Sequence, residues 1–366
     1  MSLPVETIGS NAALAQCASD WASAIALDTE FVRTDTFFAR PGLYQLCDGK
    51  RIYLVDPLEV DDWEPLVNAL EDPRVRILTH APSEDLELIY THLGVRPRAI
   101  VDSQIAHAFL SEQYAISYQG LVLRWQNVEI SKEATRSDWI KRPLTAEQLH
   151  YAAEDVRYLL PIFAQLEDEL VNLGRQPWML EETANALRYE PTPPEHYYLQ
   201  VKGAWRLDEA ALIRLQALCS WREREAMRRD QPRGRVIKDD VLLSFARHEH
   251  LASNALNDAL PRGAVRRFGE ELQAIHAEPA REIASQDDLG VPAAPLTPAQ
   301  AKRVQALREY AREQAETLGM APELLARKRA IEALYREYLE TGALESLAAS
   351  WRGPLLHDAF LKRLAA

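Results

Sequence analysis

The 366-residue sequence holds only three cysteines, Cys17, Cys47 and Cys219, scattered and without a C-x-x-C pair. An odd, dispersed set argues against a disulfide framework and a thiolate zinc site, and for a reducing cytoplasm as the working compartment. No run of about 18 apolar residues occurs, so no membrane span is expected. The start, MSLPVETIGSNAALAQ, lacks the basic segment and apolar core of a signal peptide. Histidine is scarce too: His248 and His250 are the only close pair. With no cysteine or third histidine beside them they read as a helix terminus, not a zinc site.

Basic charge is short in one half only. The net charge is −13, and up to residue 187 there are 15 Lys/Arg against 29 Asp/Glu, leaving 27 against 26 for the rest. An acidic N-terminal half repels nucleic acid unless metal ions or local patches reverse the field.

What is present reads as three domains: an α/β domain over 1–188, a proline-rich linker over 189–204, a helical bundle over 205–278, a linker over 279–295, and a second helical bundle over 296–366. Strands are expected at 23–31, 42–47, 51–56, 75–79 and 99–102. Asp48-Gly49 between the second and third signals a hairpin, so the sheet is mixed rather than wholly parallel. Ser83-Glu84-Asp85 opens a helix that stops at Gly94. Residues 144–174 form the clearest helix, with a Thr145/Gln148 capping box, a stop at Gly174 and a possible kink at Pro161.

"LDTEF" at 27–31 puts two acids into an apolar run. On a strand, residues i and i+2 share a face, so Asp28 and Glu30 project together while Leu27, Thr29 and Phe31 point the other way. Paired carboxylates hold their charge cheaply only around a cation, and hard oxygen ligands suit Mg²⁺ or Mn²⁺. An acid-x-acid pair arises by chance about eight times in so acidic a chain, so the apolar setting is what raises this one. Asp85 by itself reads equally as a helix-start acid favoured by the dipole. Tyr151 and Asp155 are four apart on the long helix and share a face. The other Tyr-x-x-x-Asp match, Tyr44 to Asp48, ends on the hairpin turn. A strand pair, a helix-start acid and a helical Tyr-x-x-x-Asp are together what two-metal phosphoryl chemistry needs.

"LDTEFVR", "HAPSEDLE", "VDSQIAHAFL" and "YAAEDVRYLLPIF" resemble the exonuclease motifs of the ribonuclease D family, in the DEDDy branch of 3′–5′ exonucleases. "SDWIKRPLTAEQLHYAAEDV" is similar to the family's approach to its last motif, and the helical half resembles its HRDC domains. The resemblance implies a ribonuclease-H-like α/β exonuclease domain with a mixed sheet, followed by two small all-α HRDC-like bundles. It implies that Asp28, Glu30, Asp85 and Asp155 bind two divalent metal ions, Asp28 bridging them, and that Tyr151 positions the attacking water. The implied reaction trims RNA 3′ ends to 5′-monophosphates, with transfer-RNA precursors and other small stable RNAs as substrates. A 3′–5′ DNA exonuclease and a non-catalytic RNA-binding module are the alternatives; the complete set of five residues argues against the second.

Single-stranded RNA ends are held by stacking and phosphate contacts, so Phe31, Gln45 and His80 are candidate substrate contacts. The stretch "REREAMRRDQPRGRVIK" at 222–238 is basic and spans a helix end and a loop; Arg228 and Arg229 are its candidate phosphate contacts, against the blander reading of a solvated face. A monomer that carries its own substrate clamp is the expected assembly.

Overall fold

The computed structural model describes residues 3–19, 21, 23–130, 137–279 and 289–365. The chain forms two compact units. One comprises the N-terminal α/β region and the C-terminal helices from 296 onward; the other comprises residues 33–40 and 190–295.

The α/β region carries six strands: β1 (Val5–Ile8), β2 (Ala24–Val32), β3 (Arg40–Cys47), β4 (Ile52–Val55), β5 (Arg76–Thr79) and β6 (Ile100–Asp102). Their order across the sheet is β1-β4-β3-β2-β5-β6. β3 and β4 pair antiparallel, whereas β1–β4, β2–β5 and β5–β6 pair parallel. The expected hairpin is therefore present, closed at Asp48, whose carboxylate accepts from the Lys50 and Arg51 amides at 2.8 Å each. β1 was not anticipated; it is four residues long and three of them are exposed, so it lacks the apolar signature of a strand.

Eight helices flank the sheet: α1 (Asn11–Ala18), α2 (Glu64–Glu71), α3 (Ser83–Leu93), α4 (Ser103–Ala108), α5 (Tyr118–Gln126), α6 (Ala146–Arg157), α7 (Leu159–Asn172) and α8 (Gln176–Ala186). α3 ends at Gly94, whose φ of 74° is the left-handed turn that glycine allows without steric cost. The expected single helix over 144–174 is two. Thr145 and Gln148 form the capping box of α6, the chain breaks at Tyr158, and Pro161 falls in the first turn of α7. Proline lacks an amide hydrogen, which is no loss in a first turn but would break a ladder in mid-helix.

The second unit is helical: α9 (Glu209–Arg229), α10 (Arg233–Val236), α11 (Asp239–Ala246), α12 (Ser253–Ala259) and α13 (Arg262–Ala277). The proline-rich stretch before it is more than a tether. Pro194–Gln200 form a 3-10 helix, and Tyr198 is fully buried, donating to Gly290 O at 2.8 Å. Most of the second linker, 280–288, lies outside the described residues.

The C-terminal helices are α14 (Pro298–Thr317), α15 (Glu323–Ala326), α16 (Lys328–Thr341), α17 (Glu345–Ala348) and α18 (Gly353–Ala365). They share one continuous apolar core with α4–α8 and the sheet. Trp351 stands at this junction, its ring 5.1 Å from Phe109 and 5.4 Å from Trp178. Its indole donates to Glu182 at 3.2 Å and its amide to Glu181 at 3.0 Å, while Arg352 pairs with Glu182 at 2.5 Å. The backbone joins too, with Ala321 N donating to Ala108 O at 2.8 Å. Trp351→Ala removes a buried ring and leaves Glu182 without its indole partner. We expect a loss of about 3–5 kcal/mol, read as a lower urea midpoint; an unchanged midpoint would refute the shared core.

Candidate active site

Four carboxyls and a phenol meet where β2, α3 and α6 converge. Ala26 of β2 lies in the core against α6 and α7. Asp28 and Glu30 follow at the same parity, so they leave the strand toward α6. Asp85 arrives from the first turn of α3 and Tyr151 and Asp155 from one face of α6. Asp85 and Asp155 are more than nine-tenths buried, whereas Asp28 and Glu30 keep part of their surface accessible. Thr29, on the opposite parity, donates a hydrogen bond to Asp85. The face that seemed to lead away from the site thus holds one of its acids.

The cluster is electrostatically crowded. Burial first, then Asp85, Asp155 and Glu30, pushes the Asp28 carboxyl far above the usual carboxylate range. Burial, Asp155 and Asp85 push Glu30 to about 9. Burial raises Asp155 to about 7 and Asp85 to about 6, the hydrogen bond from Thr29 restraining the latter. Tyr151, also raised by burial and then by Asp155, donates to that carboxylate. Among the described residues no Lys or Arg pairs with any of the four acids.

The donor set fits hard divalent cations. Among the described residues Asp155 Oδ2 is buried without a hydrogen-bond partner, an oxygen that a cation would satisfy. The carboxyls are gathered rather than closed: among the described residues no three acidic, histidine or cysteine groups already stand at ligating spacing around one point. Bringing like charges closer without a cation is opposed by their repulsion.

A small cavity of about 120 Å³ adjoins the acids, lined by Asp28, His80, Tyr118, Gln119, Tyr151 and Asp155 among others. His80 lies in its wall, hydrogen-bonded to Ser103 Oγ at 3.0 Å and Ile116 O at 3.1 Å, and burial lowers its pKa to about 4. Tyr118 donates to Glu154 O at 2.9 Å, locking α5 to α6.

The remaining sequence candidates fare differently. Phe31 is half-buried and belongs to neither apolar core. Gln45 is completely buried with neither amide atom partnered, so it offers no surface to a substrate. Arg228 and Arg229 lie in the helical unit, both paired with Glu225, and Arg229 also sits over the Phe268 ring. The other arginines of the stretch are similarly engaged. Arg222 is fully buried between Glu223 and Asp239, Arg233 binds Glu223, Arg224 binds Glu195, and Arg235 binds Asp35. A sequence count of charge cannot distinguish arginines that staple a bundle from arginines that await phosphate.

Two supporting residues escaped the sequence reading. Arg142 binds both Asp56 oxygens at 2.6 Å, Gly42 O at 2.7 Å and Trp139 O at 2.8 Å. It thereby clamps the approach to α6 onto β3 and seats Trp139 6.2 Å from the Tyr151 ring. A Cβ on Gly42 would stand 2.6 Å from Trp139 Cβ, so only glycine allows this contact. Asp102, buried at the end of β6, accepts from the Ala81 amide at 2.9 Å and the Gln104 amide at 2.8 Å. Ala81 has a left-handed φ of 53°, so that carboxylate pins the strained turn that launches α3 and Asp85.

Residues 5–171 match the family model described as 3′–5′ exonuclease, which gives the class of the α/β domain. Residues 212–275 match the HRDC domain. Ribonuclease D of Pseudomonas paraeruginosa (strain DSM 24068 / PA7) is 38% identical, over 98% of this chain and 97% of that protein. Ribonuclease D of Escherichia coli (strain K12) is 36% identical over 92% and 91%. The crystal structure of Escherichia coli RNase D superimposes with a TM-score of 0.89 at 34% identity, covering 100% of this chain and 99% of that one. The chain belongs to the ribonuclease D family and is a 3′–5′ exoribonuclease. The exonuclease family implies dependence on divalent metal.

Each clustered acid is raised above its unfolded value of about 4. The folded chain therefore holds more protons than the unfolded one as pH climbs from there, and stability falls as pH rises through the folded values. In chelator, we expect the melting temperature to fall between pH 5 and pH 8, about the span of these shifts, less steeply in Asp155→Asn. Equal slopes in the two proteins would contradict the electrostatic account.

Proposed function

We propose that the enzyme hydrolyses RNA 3′ ends one nucleotide at a time with two divalent ions, Mg²⁺ or Mn²⁺, held by Asp28, Glu30, Asp85 and Asp155. The observation that carries this reading is four carboxyls raised by burial and by one another, with no cationic side chain among the described residues to neutralise them. Two such ions, when bound, stabilise charge on the attacking and leaving oxygens of an in-line displacement. Asp28 is the natural group to serve both, supported by its interaction with each of the other three acids. Tyr151 stays protonated at neutral pH, so its hydroxyl orients the attacking water by hydrogen bonding rather than by taking its proton. Thr29 keeps Asp85 in line, and a neutral His80 forms part of the wall without adding charge.

The Escherichia coli relative is described as an exoribonuclease involved in structured RNA processing. By that likeness the substrates here are small structured RNAs with single-stranded 3′ ends, transfer-RNA precursors foremost. The C-terminal helices 296–366 serve as a second HRDC-like domain. In support, α9–α13 and α14–α18 both run from a long helix through a one-turn helix to a long final helix. Both bundles contribute to holding RNA, in a monomeric enzyme of the cytoplasm.

On a 3′-extended transfer RNA with Mg²⁺ or Mn²⁺, Asp28→Asn and Asp155→Asn should reduce release of nucleoside 5′-monophosphates to background, as should chelator. Tyr151→Phe should slow it by about 10²-fold, since it removes one orienting group and leaves the acids. Robust turnover by either Asp→Asn variant would overturn the assignment. Matched RNA and DNA 3′ overhangs, assayed with each metal, test the sugar preference directly; faster DNA degradation would reverse it.

A further inference from the structure

A second cavity, about 400 Å³ in volume, opens beside the edge strand β6 and shares no lining residue with the acidic site. Its floor is apolar, including Leu86 of α3 and Leu180 of α8, the latter 47% exposed. Arg76, Arg96, Arg98 and Arg188 stand around it, and among the described residues no Asp or Glu lines it. Three of the 15 basic residues before position 188 thus gather at one hollow of a domain rich in acid, which makes the hollow a positive island.

The arginines are not equivalent. Arg76 is committed to Glu167 through bonds of 2.8 and 2.9 Å. Arg96 lies over the Tyr90 ring at 4.4 Å and spends its Nε on Tyr189 O at 2.8 Å, and among the described residues its terminal nitrogens make no hydrogen bond. Arg98 is exposed, and among the described residues its guanidinium has no partner. Planar guanidinium forks favour a phosphate, which they can bind bidentately. Tyr189 and the apolar floor offer a surface to a flat ring. The volume lies within the range of about 300–1,000 Å³ typical of small-molecule sites.

We propose that this cavity binds a nucleoside 5′-monophosphate, with the phosphate on Arg98 and Arg96 and the base against Tyr189 and the apolar floor. The ligand is also the product of the enzyme's own reaction. The binding is independent of how the acidic site holds metal.

Equilibrium dialysis of the full chain with labelled adenosine 5′-monophosphate in EDTA tests it. We expect saturable 1:1 binding, weakened about tenfold or more by Arg98→Glu and for adenosine lacking the phosphate. Ala184→Trp, which fills the cavity from an exposed position on α8, should weaken it likewise. Asp155→Asn should bind as wild type does, and Arg98→Glu should degrade RNA at the wild-type rate. Absence of saturable binding, or loss of binding in Asp155→Asn with retention in Arg98→Glu, would overturn the proposal. So would inorganic phosphate competing as well as the nucleotide, which would leave an anion site only.

Discussion

Repulsion among four carboxyls is the constraint around which the exonuclease domain is organised. Asp28, Glu30, Asp85 and Asp155 come from a strand and two helices and meet where burial and mutual proximity both oppose their charge. No neighbouring cation relieves them among the described residues, and one oxygen of Asp155 has no partner at all. Such an arrangement persists only if the surrounding packing over-determines it. The stability surrendered at the site is what the divalent ions of the proposed function would restore.

The packing that enforces this geometry is specific. Arg142 ties the approach to α6 onto β3 and β4 through Asp56, Gly42 and Trp139, so the helix bearing Tyr151 and Asp155 is fixed against the strand bearing Asp28. Burial alone would raise Asp56, but its hydrogen bonds with Arg142 bring it below the usual carboxylate value, as expected of a well-satisfied ion pair. Asp102 performs the corresponding task for α3 by accepting from the strained Ala81 turn. Thr29 then reaches Asp85 from the far face of β2. Asp85 is thus held directly by Thr29, and the helices α6 and α3 that carry acids are held by Arg142 and Asp102. Among the described residues the side-chain amide of Gln45 and Trp139 Nε1 are buried exceptions, without a hydrogen-bond partner.

Much of this was legible because it is local. Strand parity made Asp28 and Glu30 co-facial, helical spacing paired Tyr151 with Asp155, and the capping box and Gly94 marked helix ends where they occur. β1 was invisible because an exposed edge strand leaves no periodic apolar trace. The basic stretch 222–238 was ambiguous for the opposite reason: its charges were plain, but the acids that pair with Arg224 and Arg235, Glu195 and Asp35, lie elsewhere in the chain. The break at Tyr158 falls between, since Pro161 announced a disturbance without saying whether the helix would bend or restart.

Sequence alone supplied the candidate acids of the site and the faces they share, because residue type and short spacing dictate which side chains can ligate and which project together. It also determined the hairpin and the helix ends at Thr145 and Gly94, whose causes act within a few residues. Tertiary structure decided which charges are free. It paired Arg224 with Glu195 and Arg235 with Asp35, left Arg98 exposed at the β6 cavity and buried Gln45 in the sheet. It also joined the C-terminal helices to the exonuclease core through Trp351 and Arg352. Those outcomes depend on contacts between residues up to about half the chain apart, and electrostatic and apolar partners at that separation have no signature in local pattern.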